Sequence, residues 1–183
     1  MNLQTSCIIL SGPSGSGKSS IAKHLWRMLP NNPAYLNLDS IKHLPYGAES
    51  TDHFLDLARI NALDLTRNFL ESNHSVIVDK AFGSYRFVKP FIDLSNSLCI
   101  QPFYFKLYAP INELISRVES RRNYSDQMKL ESGEWPLPTG NRSTAEAIYK
   151  FFMENEHSEG IQINTSEKGI EEVVREVMGH LEK

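Results

Sequence analysis

The stretch Gly12-Pro13-Ser14-Gly15-Ser16-Gly17-Lys18-Ser19 fits the Walker A pattern G-x-x-x-x-G-K-[ST] at every position, and no other feature narrows so sharply what this chain can fold into. A loop of this kind meets phosphate oxygens with backbone N–H groups, and a Cβ would obstruct that approach; glycine removes the obstacle. It also needs a strand before it and a helix after it, whose N-terminal dipole end faces the anion. Both are legible. Cys7-Ile8-Ile9-Leu10 reads as a short buried strand, and Ile21, Leu25, Met28 and Leu29 recur at helical spacing until Pro30, Asn31 and Asn32 stop the run. The expectation is that Gly12, Pro13, Ser14, Gly15, Ser16, Gly17, Lys18, Ser19 and Ser20 cradle a nucleotide's phosphates. Lys18 would reach the β- and γ-phosphates, and Ser19 would ligate Mg²⁺.

Further along, strands and helices alternate. Ala34 to Leu38 reads as a second strand ending at Asp39, and Phe54, Leu57, Ala58, Ala62, Leu65 and Phe69 share one face of a helix over 51–72. Val76-Ile77-Val78 is a strand that stops at Asp79. A helix is expected between Ser84 and Ser97, kinked or started by Pro90, and Phe103 to Leu107 forms a fourth strand. Ile111, Leu114, Ile115 and Val118 form another helical face, with Pro110 in its first turn. From Arg121 to Arg142 the periodicity disappears and Gly133, Pro136, Pro138 and Gly140 accumulate, so a lid over about 122–142 is expected. A helix from Ser143, a strand over Gly160 to Ile163 and a helix over Ile170 to Leu181 complete the chain. The alternation implies an α/β fold, a parallel sheet with helices on both faces.

Geometry places two carboxylates near the loop. From Lys18, a helix of about thirteen residues travels roughly 20 Å away. A strand of five residues returns roughly 17 Å. Asp39 is thereby carried back to the carboxyl edge of the sheet, where ligands of open α/β sheets bind, and Asp79 arrives there on its own strand. Val76-Ile77-Val78-Asp79 has the Walker B form, an apolar strand ending in a carboxylate that helps hold Mg²⁺. The alternative for either aspartate is a helix cap or turn. Asp39 is assigned the role of accepting the proton of an attacking hydroxyl. Arg117 and Arg121, one turn apart on the same helix face, are suited to neutralising charge in phosphoryl transfer, with Arg142 as a second clamp.

Composition excludes several classes. All 183 residues fit one domain, 1–183, with no visible repeat or linker; 40% hydrophobic and 22% charged residues are those of a soluble globular protein. No basic segment followed by an apolar core opens the chain, so a cytoplasmic location without membrane insertion is expected. A net charge of −3 disfavours tight binding of long nucleic acids. Cys7 and Cys99 lack metal-type spacing and read as core thiols.

The motifs I-I-L-x-G-x-S-x-x-G-K-S at Ile8, M-L-P at Met28, L-D-S-I around Asp39, I-V-D ending at Asp79, R-V-E-S-R from Arg117 and I-N-T-S-E from Ile163 occur in an order that resembles small P-loop kinases. Within them the chain is similar to the chloramphenicol phosphotransferase-like proteins. The resemblance implies a three-layer P-loop fold with a five-stranded parallel sheet of nucleoside-monophosphate-kinase type, ATP with Mg²⁺ as donor, Asp39 as base, and Arg117 and Arg121 as lid arginines. An antibiotic acceptor is not carried over. A guanylate-kinase identity is rejected, because the S-R-x-P-R-x-G-E stretch that engages GMP is missing.

The leading expectation is therefore ATP-dependent phosphoryl transfer to a hydroxyl of a small molecule, with oligomerisation left open. Catalysis would rest on Asp39, Lys18, Arg117 and Arg121, and the metal on Ser19 and Asp79. Two other readings remain: a polynucleotide 5′-hydroxyl or nucleoside kinase, and a regulatory NTPase acting through a protein partner.

Overall fold

The structure is a computed structural model and describes residues 4–42, 52–132 and 142–182. The elements are β1 (Ser6–Ser11), α1 (Lys18–Met28), β2 (Ala34–Asn37), α2 (Leu38–Lys42), α3 (Asp52–Glu71), β3 (Val76–Asp79), α4 (Lys89–Ser97), β4 (Gln101–Tyr108), α5 (Ile111–Ser132), α6 (Arg142–Glu154), β5 (Ile161–Asn164) and α7 (Ile170–Leu181). The five strands form one sheet in the order β2-β3-β1-β4-β5, every pairing parallel. All six residues of β1 are buried, which a central strand covered on both faces requires.

Alternation along the strands sorts the core into two halves. Ile8, Leu10, Ile77, Phe105, Leu107 and Ile163 face α1 and α7, meeting Ile21, Leu25, Val174 and Val177. Cys7, Ile9, Leu36, Val76, Val78 and Tyr104 face the other way, against Ala62 and Leu70 of α3 and Phe91 of α4. Among the described residues no helix is long and apolar enough to cross a membrane.

Several elements depart from the sequence expectation. The second strand ends at Asn37, and Asp39 lies in the first turn of α2 instead of at a strand end. Along α3 the buried stripe is Ala58, Ala62, Thr66 and Leu70, at strict four-residue steps, while Leu57, Leu65 and Phe69 are exposed. The buried Thr66 hydroxyl is satisfied by donating to the Ala62 carbonyl at 2.7 Å. At the end of α1, Met28 is exposed and the following Leu29 buried. The fourth helix begins with a 3₁₀ turn, Tyr85–Phe87, and becomes α-helical at Lys89 with Pro90 in its first turn. Pro110 stands just ahead of α5, its carbonyl taking the Glu113 and Leu114 N–H groups.

Two further departures concern the ends of helices. Helix α5 continues to Ser132, so helix extends where periodicity is lost; of the segment 122–142 expected to be a lid, 133–141 lies outside the described residues and Arg142 opens α6. Cys99 is not a core thiol. It follows α4 with φ 56°, its N–H bonding to Asn96 and that of Ile100 to Ser95, so the left-handed turn that ends the helix directs its side chain outward. Cys7 is fully buried, which raises its thiol to about 11 against a lowering contact from Ser95.

Candidate active site

Because all strands run in one direction, their carboxyl ends share one edge, and the loop after β1, helix α2 after β2, Asp79 on β3 and Thr165 after β5 gather there. Gly12 and Gly15 have φ of 150° and 85°. A Cβ on Gly12 would lie 2.3 Å from the Leu107 carbonyl oxygen, and one on Gly15 would lie 2.5 Å from that of Leu114. The loop is wedged between β4 and α5, so glycine is demanded by the protein's own backbone as well as by a phosphate.

Lys18 opens α1 and donates from Nζ to the Pro13 carbonyl at 3.0 Å, closing the loop on itself. Burial lowers its pKa to about 8; Asp79 and then Asp39 work against that, while Arg121 and Lys80 add to it. One ammonium thus feels both carboxylates and two other cations, which brings Lys18, Asp39, Asp79 and Arg121 into one electrostatic neighbourhood. The Ser16 Oγ is buried with no hydrogen-bond partner among the described residues. An orphaned hydroxyl in the glycine loop suits an anion that supplies the missing acceptor.

Asp79 is 1% exposed, with Tyr35 Oη donating to its Oδ2 at 2.8 Å and Asn37 Nδ2 donating to the same oxygen at 2.9 Å. Burial, followed by the Asp79 charge, raises the Tyr35 phenol, and Ser19 lies close enough to act in the opposite sense. A hydroxyl and a carboxylate are hard oxygen donors of the kind Mg²⁺ takes. Among the described residues no cluster of three or more His, Cys, Asp or Glu could hold a metal by itself, so a cation at Ser19 and Asp79 would need phosphate and water oxygens to complete its shell.

Asp39 is exposed and ion-paired with the largely buried Lys80, which follows Asp79. It does not cap α2: the Asn37 Oδ1 accepts the Ser40 N–H at 2.9 Å and the Ser40 hydroxyl at 3.2 Å, leaving Asp39 to face outward from the first turn. The arginines divide. Arg117 Nη1 donates to the Gly15 carbonyl at 3.3 Å and Thr165 Oγ1 at 3.1 Å, and Nη2 donates to the Thr165 carbonyl at 2.7 Å and to Glu113. It braces the loop against the β5–α7 connection. Arg121 is exposed and without a hydrogen-bond partner among the described residues. Arg142 is exposed and bonds Glu146 at 2.9 Å, with Glu119 at 3.9 Å.

Beside the loop, a cavity of about 330 Å³ is lined by Gly17, Ser20, Arg117, Thr165, Gly169 and Val173, among others. Sequence reasoning did not assign Thr165, Gly169 or Val173. The available signal was that Ile163-Asn164 ends a strand, so whatever follows must sit at the carboxyl edge. Tyr35, Asn37 and Lys80 as partners of the two aspartates were also missed.

The fold is similar to that of the APS kinase CysC of Mycobacterium tuberculosis in complex with AMPPNP and APS, with a TM-score of 0.68 and 20% identity, covering 98% of this chain and 99% of that one. A gluconokinase from Sinorhizobium meliloti 1021 gives 0.61 and 18%, covering 100% and 94%. A chain of the Pnkp1/Rnl/Hen1 RNA repair complex gives 0.60 and 18%, covering 86% and 48%. At such identities the likeness speaks for the fold. No curated protein matches the chain. Residues 8–148, a stretch that takes in the glycine loop, both aspartates and Arg117 and Arg121, match the family described as "AAA domain", and the chain belongs to that family.

Proposed function

We propose that this protein is an ATP-dependent kinase that moves the γ-phosphoryl group onto a hydroxyl of a small molecule. The observation that carries this reading is an exposed carboxylate, Asp39, held by Lys80 at the same sheet edge as the glycine loop and the buried Asp79, within electrostatic reach of Lys18. An exposed carboxylate at that edge is suited to accept the proton of an incoming hydroxyl. The kinase folds that the chain resembles support the same reading.

ATP supplies the phosphoryl group; Ser19 and Asp79 would hold Mg²⁺, which would offset the charge on its oxygens. Asp39 accepts the proton of the acceptor hydroxyl as the new O–P bond forms and the bond to the leaving ADP breaks. Lys18 and Arg121 neutralise the negative charge, and Lys80 keeps Asp39 turned toward the acceptor. Arg117 acts through position, fixing Gly15 and Thr165 around the cavity that receives the rest of the nucleotide. The chloramphenicol phosphotransferase-like subfamily remains our proposal for the subgroup on the strength of the motifs alone.

The test is ADP release from ATP and Mg²⁺ with a panel of hydroxylated metabolites, nucleosides, antibiotics and a 5′-hydroxyl oligonucleotide. One acceptor should stimulate the wild type, and Asp39→Asn should lower kcat for it by about 10²–10⁴-fold while KM for ATP stays within a few-fold. Stimulation by the oligonucleotide alone would move the protein to the polynucleotide kinases. Equal hydrolysis by both proteins with no stimulating acceptor would overturn the kinase reading and leave the partner-regulated NTPase.

A further inference from the structure

Strands β2 and β3 are paired in parallel with Asn37 opposite Asp79 and Tyr35 opposite Ile77. Tyr35 and Asn37 are alternate residues of β2, so both side chains leave the sheet on the side of α1, where Asp79 also points. The consequence is a convergence of two donors on one atom: the phenol at 2.8 Å and the amide at 2.9 Å both address Oδ2. The other oxygen, Oδ1, accepts no hydrogen bond among the described residues. A buried carboxylate needs donors, and any two well-placed ones would satisfy that need. Placing both on one oxygen does something more, because it stops the group from rotating and leaves a defined oxygen uncommitted.

The amide itself is not free to turn. Its Oδ1 is held by the Ser40 N–H and hydroxyl, so its NH₂ must point at Asp79. The tyrosine hydroxyl bonds Asp79 and has Ser19 in its neighbourhood, the two residues assigned to the metal.

We propose that Tyr35 is a positioning residue that locks Asp79 so that Oδ1 is presented to the metal carried by the nucleotide, with Asn37 as the second half of the lock. This rests on the reading of Asp79 as a metal-holding group. Partners of this kind set metal affinity by orienting the ligand, and losing one costs about 10–100-fold.

The experiment titrates Mg²⁺ against the binding of a fluorescent ATP analogue, with an EDTA baseline, for the wild type, Tyr35→Phe, Asn37→Ser and Asp79→Asn. Phenylalanine keeps the ring and removes only the donor. Serine at position 37 keeps a cap for α2 but is too short to reach Asp79. Tyr35→Phe should raise the Mg²⁺ concentration at half-effect about 10–100-fold and leave binding in EDTA unchanged, a split that a merely structural role would not produce. Asn37→Ser should shift it in the same direction, and it answers the question by itself if Tyr35→Phe does not fold. A wild-type midpoint in both variants while Asp79→Asn moves it would overturn the inference and spare the reading beneath it. An unmoved midpoint in Asp79→Asn would overturn both together.

Discussion

Lys18 shows how a single side chain can carry the balance of a site. Burial favours its neutral form and the two aspartates its charged form; burial prevails, leaving the pKa at about 8. Below that pH the free protein holds an ammonium, and above it mostly an amine. A bound triphosphate stabilises the ammonium, so binding above pH 8 takes up a proton and affinity falls as pH rises, whereas below it little uptake is expected. Calorimetry in buffers of different ionisation enthalpy, about one unit above and below that pH, should show buffer-dependent heat only at the higher value, and Lys18→Met should abolish it. Heat independent of buffer at both would contradict the assignment. The gathering of Lys18, Ser19, Asp39 and Asp79 at one sheet edge was legible in the sequence because motif and spacing place them there. Tyr35 and Asn37 were not, since a tyrosine in an apolar strand reads as core until the strand register places it beside Asp79.

At the scale of elements, periodicity reports a packed face and nothing else. Helix α3 joins the core through Ala62 and Leu70, with Ala58 and Thr66 buried in the same stripe, while Leu57, Leu65 and Phe69, read from hydrophobicity onto one face with Ala58 and Ala62, are exposed. Close approach is what the alanines supply. Ala62→Leu should therefore overpack the interface and cost about 1–3 kcal/mol, read as a lower urea midpoint with an unchanged slope; an unmoved midpoint would contradict the packing described. The same limitation explains α5. The sequence after Arg121 loses its apolar period, so no helix was read there, yet the helix continues to Ser132, because backbone hydrogen bonding does not require an apolar stripe to continue.

For the molecule as a whole, the parallel sense of the strands and the gathering of the site at their carboxyl ends follow from the alternation of apolar runs around one glycine loop, whereas the order β2-β3-β1-β4-β5 is known only from the structure. What could not be read is orientation at the ends of elements, where one left-handed residue decides which way a side chain goes. Of Cys7 and Cys99, only the second should react with a thiol reagent in the native protein, and the first only on unfolding; native labelling of both would contradict the buried β1. Cys99 precedes β4, so it sits at the amino end of the parallel strands, and the glycine loop sits at the other. The unaltered chain therefore offers an anchoring point: tethered to a surface through that sulfur, every copy would hang with its nucleotide edge toward the solution.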